Sequence, residues 1–276
     1  MNAVYIQTPW QNGISPPEPP MINLQKELDT GRSVAQQAGE IALRYYRTGI
    51  AFEAKPDDSP VTRADKECEQ FIARELERAF PDDGLLGEEG AQKPSRSGRR
   101  WIIDPIDGTR DFVRGNPAWS NLIGLEADGE VVAGFVSMPA LGELFVASRG
   151  GGAFVNGRPM HVSSIATVAH AVACFDSLTS AAAQPFASRL LSWLQPFWAV
   201  RSMGGCMDAL MVARGQAEIW IETSGKPWDF APLKIVAEES GARFFNFDGK
   251  SSIYGGNCVV CAPALEEAVW RLLAKS

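Results

Sequence analysis

The residues best suited to chemistry lie in one short stretch from Trp101 to Thr109, which reads WIIDPIDGT. Its two carboxylates, Asp104 and Asp107, are three residues apart, with a proline and an isoleucine between them. A buried strand that breaks at a proline and a glycine can turn two acidic side chains and one backbone carbonyl toward a single pocket. Hard divalent cations prefer all-oxygen clusters of this kind, so the stretch predicts a candidate metal site.

Further acidic residues stand where predicted elements begin or end. Glu88 follows a short strand, Asp229 opens a helix, and Asp65 lies at the start of another helix. Each alone has an ordinary explanation, because Asp65 and Asp229 suit helix N-caps and Glu88 suits an exposed turn. Converging carboxylates would repel each other by several kcal/mol at an effective dielectric of about 20, so a fold retains them only with cations or shared protons.

The type of metal follows from the ligands that the chain offers. With 2 histidines in the whole sequence, a histidine-rich zinc site does not fit. Oxygen ligands at this density favour Mg²⁺, with Mn²⁺ as an alternative. A helix is predicted to begin at Gly108 and Thr109, and free N–H groups at a helix start bind anions. Carboxylates for a metal beside amides for a phosphate suggest metal-assisted hydrolysis of a phosphate ester.

Composition limits the function classes. The formal charge of −7 argues against a protein that coats nucleic acid, although bound cations would still permit an anionic substrate. No apolar run approaches the roughly 20 residues that span a bilayer, and the N-terminus lacks the pattern of a signal peptide. Five scattered cysteines do not suggest a disulfide framework, and Cys258 and Cys261 fit a buried strand better than a redox or zinc pair. A cytoplasmic protein is therefore expected.

The periodicity of apolar residues predicts how the chain is organised. Residues 1–20 form a proline-rich arm, residues 21–158 an α+β half that binds the metal, and residues 159–276 an α/β half that completes the site. In the first half, two helices precede a run of antiparallel strands. In the second half, strands and helices alternate, with one helix predicted over Ser180 to Leu194. The fold class is α/β, packed as layers.

Three motifs together resemble one known family. Gly87-Glu88-Glu89, the WIIDPIDGT stretch and Trp228-Asp229 are similar to the motifs of the inositol monophosphatase-like superfamily of lithium-sensitive, Mg²⁺-dependent phosphatases. The resemblance extends from about Leu24 to the C-terminus. It implies a layered αβαβα sandwich, two or three Mg²⁺ ions in each active site, and a homodimer.

The resemblance also implies a role for each residue that matches a motif. Glu88 and Thr109 would orient and deprotonate the attacking water, and the N–H groups of Gly108 and Thr109 would hold the phosphate. Glu222 would contact polar groups of the substrate. The metal ligands would be Glu88, Asp104, the carbonyl of Ile106, Asp107 and Asp229, with Asp65 assisting a third and weaker ion.

Departures from the inositol-specific pattern bear on the substrate. The segment from Phe112 to Trp119 looks more like members that act on histidinol phosphate. Asp208 could pair with a cationic imidazole or ammonium group, and it could equally be a solvated helix residue. The best candidates are therefore histidinol phosphate and inositol monophosphate, and fructose 1,6-bisphosphate and 3′-phosphoadenosine 5′-phosphate are the alternatives.

Two readings from other functional classes remain open on the sequence. A non-catalytic binding relative could have kept the fold, although all the proposed metal carboxylates are present. Glycoside hydrolysis needs only two carboxylates across a sugar ring. The surplus of acidic residues and the predicted anion site at Gly108 and Thr109 make a glycosidase the weaker reading.

Overall fold

A computed structural model describes residues 24–48, 52–54 and 60–274. The predicted proline-rich arm over residues 1–20 lies outside these ranges. Within them, no helix combines the length and the apolar character that crossing a membrane requires.

The first elements form an outer helical layer. They are α1 (Gln25–Thr48), the antiparallel pair β1 (Phe52–Ala54) and β2 (Pro60–Thr62), and α2 (Arg63–Ala79). Apolar residues at helical spacing make one buried face on each helix, with Val34 and Ala38 on α1 and Ile72 and Leu76 on α2. These faces pack together on the sheet that follows.

An eight-stranded sheet comes next in the chain. Its strands run antiparallel to their neighbours, except that β3 is parallel to β5, and the spatial order is β10-β9-β8-β7-β6-β5-β3-β4. The elements are β3 (Gly84–Gly87), β4 (Gln92–Lys93), β5 (Arg99–Asp107), α3 (Thr109–Arg114), β6 (Ser120–Ala127), β7 (Glu130–Met138), β8 (Glu143–Ser148), β9 (Gly152–Val155) and β10 (Arg158–Pro159).

A second, five-stranded sheet follows, in the order β12-β11-β13-β15-β14. In this sheet β11 is parallel to both of its neighbours, and β15 is antiparallel to both of its own. The elements are β11 (Val172–Phe175), α4 (Leu178–Ala181), α5 (Ala187–Leu194), β12 (Ala199–Arg201), α6 (Cys206–Ala213), β13 (Ile219–Glu222), α7 (Pro227–Glu239), β14 (Arg243–Phe245), β15 (Cys258–Cys261) and α8 (Glu266–Leu273).

Three apolar clusters hold these elements in five layers. One cluster joins α1 and α2 to the eight-stranded sheet, a second places α6 and α7 between the two sheets, and a third joins α5 and α8 to the five-stranded sheet. Strand residues alternate between faces, so Ile103 packs toward α1 and α2 while Ile102 packs toward α7. The predicted αβαβα sandwich is confirmed.

The central helix α7 lies unusually close to the eight-stranded sheet. Gly124 on β6 and Gly134 on β7 face it, and a Cβ atom at either position would meet Ala231 or Ile235 at 2.7 and 2.5 Å. Close packing here matters for the site, because α7 carries Asp229 at its N-terminal end.

Two expectations about the second half have clear outcomes. Cys258 and Cys261 lie on β15 and pack into different apolar clusters, so their side chains point to opposite faces as predicted. The single helix predicted over Ser180 to Leu194 is wrong. The segment forms two short helices, α4 and α5, because Pro185 between them lacks the N–H that a continuous helix needs.

Candidate active site

A cavity of about 370 Å³ opens where elements from both halves end. Acidic residues from the β3 and β5 ends and from the start of α7 line its inner side. The loop that leads into α6 and the residues after β11 line its outer side. The lining residues are Glu88, Asp104, Ile106, Asp107, Gly108, Thr109, Arg110, Asp111, Asp176, Ser177, Gly204, Gly205 and Asp229.

An irregularity in β5 brings the two aspartates of the central motif to the cavity. Asp104 pairs with Leu122 of β6, but Asp107 pairs with Ser120, so the strand holds one more residue than its partner between these positions. Asn121 of β6 donates its side-chain N–H to the Pro105 carbonyl. This bulge lets both carboxylates and the Ile106 carbonyl border the same space.

Glu88 reaches the cavity from a tight turn after β3. Its backbone N–H donates to the Ile103 carbonyl at 3.1 Å, which joins the turn to β5. The buried carboxylate of Glu69, on α2, accepts the N–H groups of Glu89 at 2.8 Å and Ala91 at 2.7 Å. The turn that carries Glu88 is therefore fixed on both sides.

Asp229 is held by the start of α7. Its Oδ2 atom accepts the N–H of Lys226 at 2.6 Å, as expected for an acidic residue in the first helical turn. Pro227 begins the helix, where the missing N–H costs nothing. Lys226, rather than Asp229, is therefore the N-cap residue of α7. The Asp229 carboxylate accepts the Lys226 N–H from the first turn of the helix.

Three aspartates on the inner side of the cavity have raised pKa values because they are buried close to other carboxylates. Burial, followed by the charges of Glu88, Asp107 and Asp229, raises the pKa of Asp104 well above its usual range. Burial and then Asp229 raise the pKa of Asp107 to about 7, against a lowering hydrogen bond from the Cys206 N–H. Burial raises the pKa of Asp229 to about 6. Without cations, these groups cannot all remain ionised at neutral pH at low cost.

The donor atoms on the inner side suit a hard divalent cation. Asp104 is 2% exposed, and its Oδ1 atom is buried without a hydrogen-bond partner in the structure. The other donors are carboxylates and the Ile106 carbonyl, all of them oxygen. The carboxylates line one cavity, yet no three of them within the described ranges form a ready-made metal-binding group. The residues therefore fit Mg²⁺ in type and charge, and bound ions would have to draw them together.

Two glycines shape the approach to these carboxylates. Gly108 has a φ of 79°, and a Cβ there would lie 2.8 Å from the Ala118 carbonyl oxygen. Gly205 has a φ of 53°, and a Cβ there would lie 2.8 Å from Oδ2 of Asp107. Only glycine satisfies both the left-handed backbone and the close contact at these positions.

Thr109 begins α3 and lines the cavity with its neighbour Gly108. Its Oγ1 atom donates to the Ile106 carbonyl at 3.0 Å. A hydroxyl that donates in one direction can accept in another, so Thr109 can still accept a hydrogen bond from a water in the cavity. The carbonyl of Ile106 has a second lone pair for a metal.

The other three predicted site residues lie off the cavity lining. Asp65 is buried in the first turn of α2, and its charge helps to raise the pKa of Asp104. Glu222 is buried at the end of β13, where its Oε1 accepts the Ser224 N–H at 2.9 Å. Burial, then Asp176, raises the pKa of Glu222 to about 10.

Asp208 is neither exposed to solvent nor part of the cavity lining. It was expected either to contact the substrate or to be a solvated helix residue, and it is fully buried on α6. Its carboxylate accepts the N–H groups of Met203 at 3.1 Å and Gly204 at 3.2 Å. Asp208 therefore shapes the loop that borders the cavity, because these backbone donors occupy its oxygens.

Asp176 borders the cavity, and the motif analysis did not single it out. It directly follows the buried strand β11, and the same signal, an acid at the end of a strand, had pointed to Glu88. Asp111 and Arg110 also line the cavity, and the motifs assigned no role to either residue.

The sequence matches known proteins over most of its length. The model of the inositol monophosphatase family matches residues 23–276. A histidinol-phosphatase from Chlorobaculum parvum is 39% identical over 86% of this chain and 92% of its own length. An inositol-1-monophosphatase from Mesorhizobium japonicum is 32% identical over 92% of this chain and 94% of its own.

Solved structures show the same fold. The extragenic suppressor protein suhB from Bartonella henselae aligns with a TM-score of 0.83 and 29% identity, over 91% of this chain and 99% of its own. An IMPase/NADP phosphatase complexed with Mg²⁺ and phosphate aligns with a TM-score of 0.78 and 25% identity, over 92% and 97%. With its three motifs, its five layers and a match over nearly its whole length, this chain belongs to the inositol monophosphatase family.

Proposed function

We propose that this chain hydrolyses a small phosphate monoester in a Mg²⁺-dependent reaction, with histidinol phosphate as the first candidate substrate and inositol monophosphate as the second. The observation that carries the proposal is the meeting of four carboxylates from three separate elements in one cavity, beside Gly108 and Thr109. An otherwise acidic protein would repel a phosphate ester, and metal ions at these carboxylates would reverse the local charge.

The proposed ligands supply only oxygen atoms. Carboxylates and one backbone carbonyl would hold two or three Mg²⁺ ions, which Mn²⁺ could replace. When bound, the ions supply positive charge for the phosphate and lower the pKa of a bound water. The ligands are Glu88, Asp104, the carbonyl of Ile106, Asp107 and Asp229, with Asp65 assisting a third ion from behind Asp104.

The chain's own groups then have distinct tasks. Glu88 accepts a proton from the attacking water, and the Thr109 hydroxyl accepts a hydrogen bond that orients this water. The N–H groups of Gly108 and Thr109 bind phosphate oxygens. As the water oxygen bonds to phosphorus, the bond from phosphorus to the ester oxygen breaks, and the departing alkoxide takes a proton from solvent to become the alcohol. No covalent intermediate with the protein is needed.

The names of the similar proteins support the choice of substrates. The Chlorobaculum parvum relative, at 39% identity, is a histidinol-phosphatase, and the inositol-1-monophosphatase from Mesorhizobium japonicum is less similar, at 32%. The aligned structure that holds Mg²⁺ and phosphate supports a divalent metal in this fold. A homodimer and a cytoplasmic location remain part of the proposal. They rest on the family resemblance and on the sequence, and light scattering of the purified protein would test the dimer.

A panel assay tests the proposed function. Phosphate release would be measured with Mg²⁺ for histidinol phosphate, inositol 1-phosphate, fructose 1,6-bisphosphate and 3′-phosphoadenosine 5′-phosphate. We expect the highest kcat/KM for histidinol phosphate. If none of the four esters released phosphate with Mg²⁺ or Mn²⁺, the chain would instead be a non-catalytic binding relative.

A further inference from the structure

The cavity has a second acidic side that the metal ligands do not explain. Asp111 and Asp176 line the cavity as well, together with Arg110, Ser177 and the glycines of the loop before α6. Within the described ranges, neither Asp111 nor Asp176 forms an ion pair with a lysine or arginine.

Asp176 is held firmly at this outer side. One carboxylate oxygen, Oδ1, accepts the Gly205 N–H at 2.9 Å. The backbone carbonyl of Asp176 accepts the Ser202 hydroxyl at 3.1 Å, and its N–H donates to the Ile221 carbonyl at 3.3 Å. A charge fixed in this way loses little conformational freedom when it binds a ligand, which favours recognition.

The pKa values of neighbouring carboxyl groups show that the negative charge of Asp176 acts within the cavity. Its charge contributes to raising the pKa of Asp111 on the same side and of Asp107 on the inner side. Asp111 itself is fixed by the side-chain amide of Asn116 at 2.6 Å. The buried and unpartnered Oδ1 of Asp104, which a bound cation would satisfy, belongs to the same cavity.

We propose that Asp176, supported by Asp111, determines specificity by binding a positively charged group on the alcohol part of the substrate. This inference rests on the proposed function, because it concerns the part of the same ester that leaves with the alkoxide. An ammonium or imidazolium group would pair with Asp176, a neutral polyol would gain no such pairing, and a second phosphate would be repelled. Bisphosphates such as fructose 1,6-bisphosphate are accordingly poor substrates.

The variant Asp176→Asn tests this assignment. Asparagine keeps an oxygen that can accept the Gly205 N–H, so the loop retains its support while the negative charge is removed. The substrate pair is histidinol phosphate and its N-acetyl derivative, in which acetylation removes the charge of the amino group, with inositol 1-phosphate as a neutral reference. The matched control is Asp82→Asn, the same substitution at an exposed aspartate away from the cavity, whose carboxylate pairs with Arg96.

We expect Asp176→Asn to lower kcat/KM about tenfold or more for histidinol phosphate, mainly through KM, because a charged hydrogen bond is lost. The neutral reference should change less than about twofold, since no such bond forms with it. The product histidinol should raise the Tm of the wild-type protein and not that of Asp176→Asn. Asp82→Asn should behave like the wild type in both measurements.

Two results would overturn the assignment. One is an equal loss for charged and neutral esters in Asp176→Asn, which would indicate a structural role. The other is a wild-type protein that releases phosphate but does not prefer the charged member of the pair. If the proposed function is wrong, no ester releases phosphate. The Tm shift of the wild-type protein with histidinol, compared with that of Asp176→Asn, would still test whether Asp176 binds a cationic group.

Discussion

At the scale of single residues, Asp104 is the most constrained member of the site. It is 2% exposed and its Oδ1 has no hydrogen-bond partner in the structure. Burial, followed by three other carboxylates that line the cavity, raises its pKa. An isolated buried carboxylate of this kind would be costly. Its position is accounted for if it binds a cation.

Replacement of Asp104 by asparagine should therefore abolish turnover and leave the fold intact. The value of kcat should fall by more than roughly 10–100-fold, which is the loss typical when a residue hydrogen-bonded to a metal ligand is removed. Phosphate release and circular dichroism, measured on the same preparation, would check this expectation. The matched control is Asp82→Asn, because Asp82 is exposed and pairs only with Arg96 on the surface. Near-normal turnover in the Asp104 variant would rule out its role as a ligand.

The sequence motifs alone predicted the four carboxylates that line the inner side of the cavity. Glu88, Asp104, Asp107 and Asp229 all border the cavity, as the motifs suggested. Asp208 was misjudged because sequence does not show which backbone N–H groups a buried carboxylate will find. Asp176 was missed because a lone acid after a strand gains meaning only when the loop before α6 folds against it.

At the scale of elements, the turn after β3 depends on a residue far from the chemistry. Glu69 on α2 accepts the backbone N–H groups of Glu89 and Ala91, and its carboxylate fills the space that a side chain at Gly87 would need, 2.4 Å from that position. The element that presents Glu88 is thus built around one buried carboxylate.

The variant Glu69→Ala should lower both stability and activity. Two partly buried N–H groups would lose their acceptor, at a cost of at most about 1–3 kcal/mol each, and Glu88 would lose its fixed position. Urea unfolding and the Mg²⁺ concentration for half-maximal activity would measure the two effects. Glu77→Ala on the same helix is the control, since Glu77 is exposed and pairs with Lys93, and we expect a change below about 1 kcal/mol. Equal effects of the two variants would contradict this account.

The elements were predicted well where the apolar pattern is long and regular. The strands from β6 to β9 and the helices α2 and α7 agree with expectation, because alternation and helical spacing report burial directly. The pattern failed over Ser180 to Leu194, where Pro185 interrupts it. The parallel pairing of β3 with β5 and the bulge between Asp104 and Asp107 arise from contacts between strands, which no local pattern contains.

At the scale of the whole molecule, the acidic cavity couples stability to pH and to metal. The folded-state pKa values of Asp107, about 7, and Asp229, about 6, lie above the value of about 3.9 in an unfolded chain. The folded protein therefore binds more protons than the unfolded one between these values. Its stability is greatest at the acidic end of this window and falls as the pH rises toward 7.

The metal-free protein should consequently lose stability between pH 5 and pH 8, by an amount on the order of a few kcal/mol from this site. Mg²⁺ should restore more stability at pH 8 than at pH 5, because it binds the ionised carboxylates. Tm values with and without Mg²⁺ would measure this difference. Asp107→Asn removes one of the titrating groups, so its metal-free stability should fall less over this range. Parallel pH curves for the variant and the wild type would argue against the proposed cause.

The central claim is that the carboxylates of the inner side hold metal ions that allow an acidic protein to cleave a phosphate ester. Its most direct test is phosphate release from histidinol phosphate during chelation with EDTA and subsequent titration with Mg²⁺. We predict that activity disappears with the chelator and returns as Mg²⁺ is added. Phosphate release that persists at full rate in excess chelator would contradict the claim.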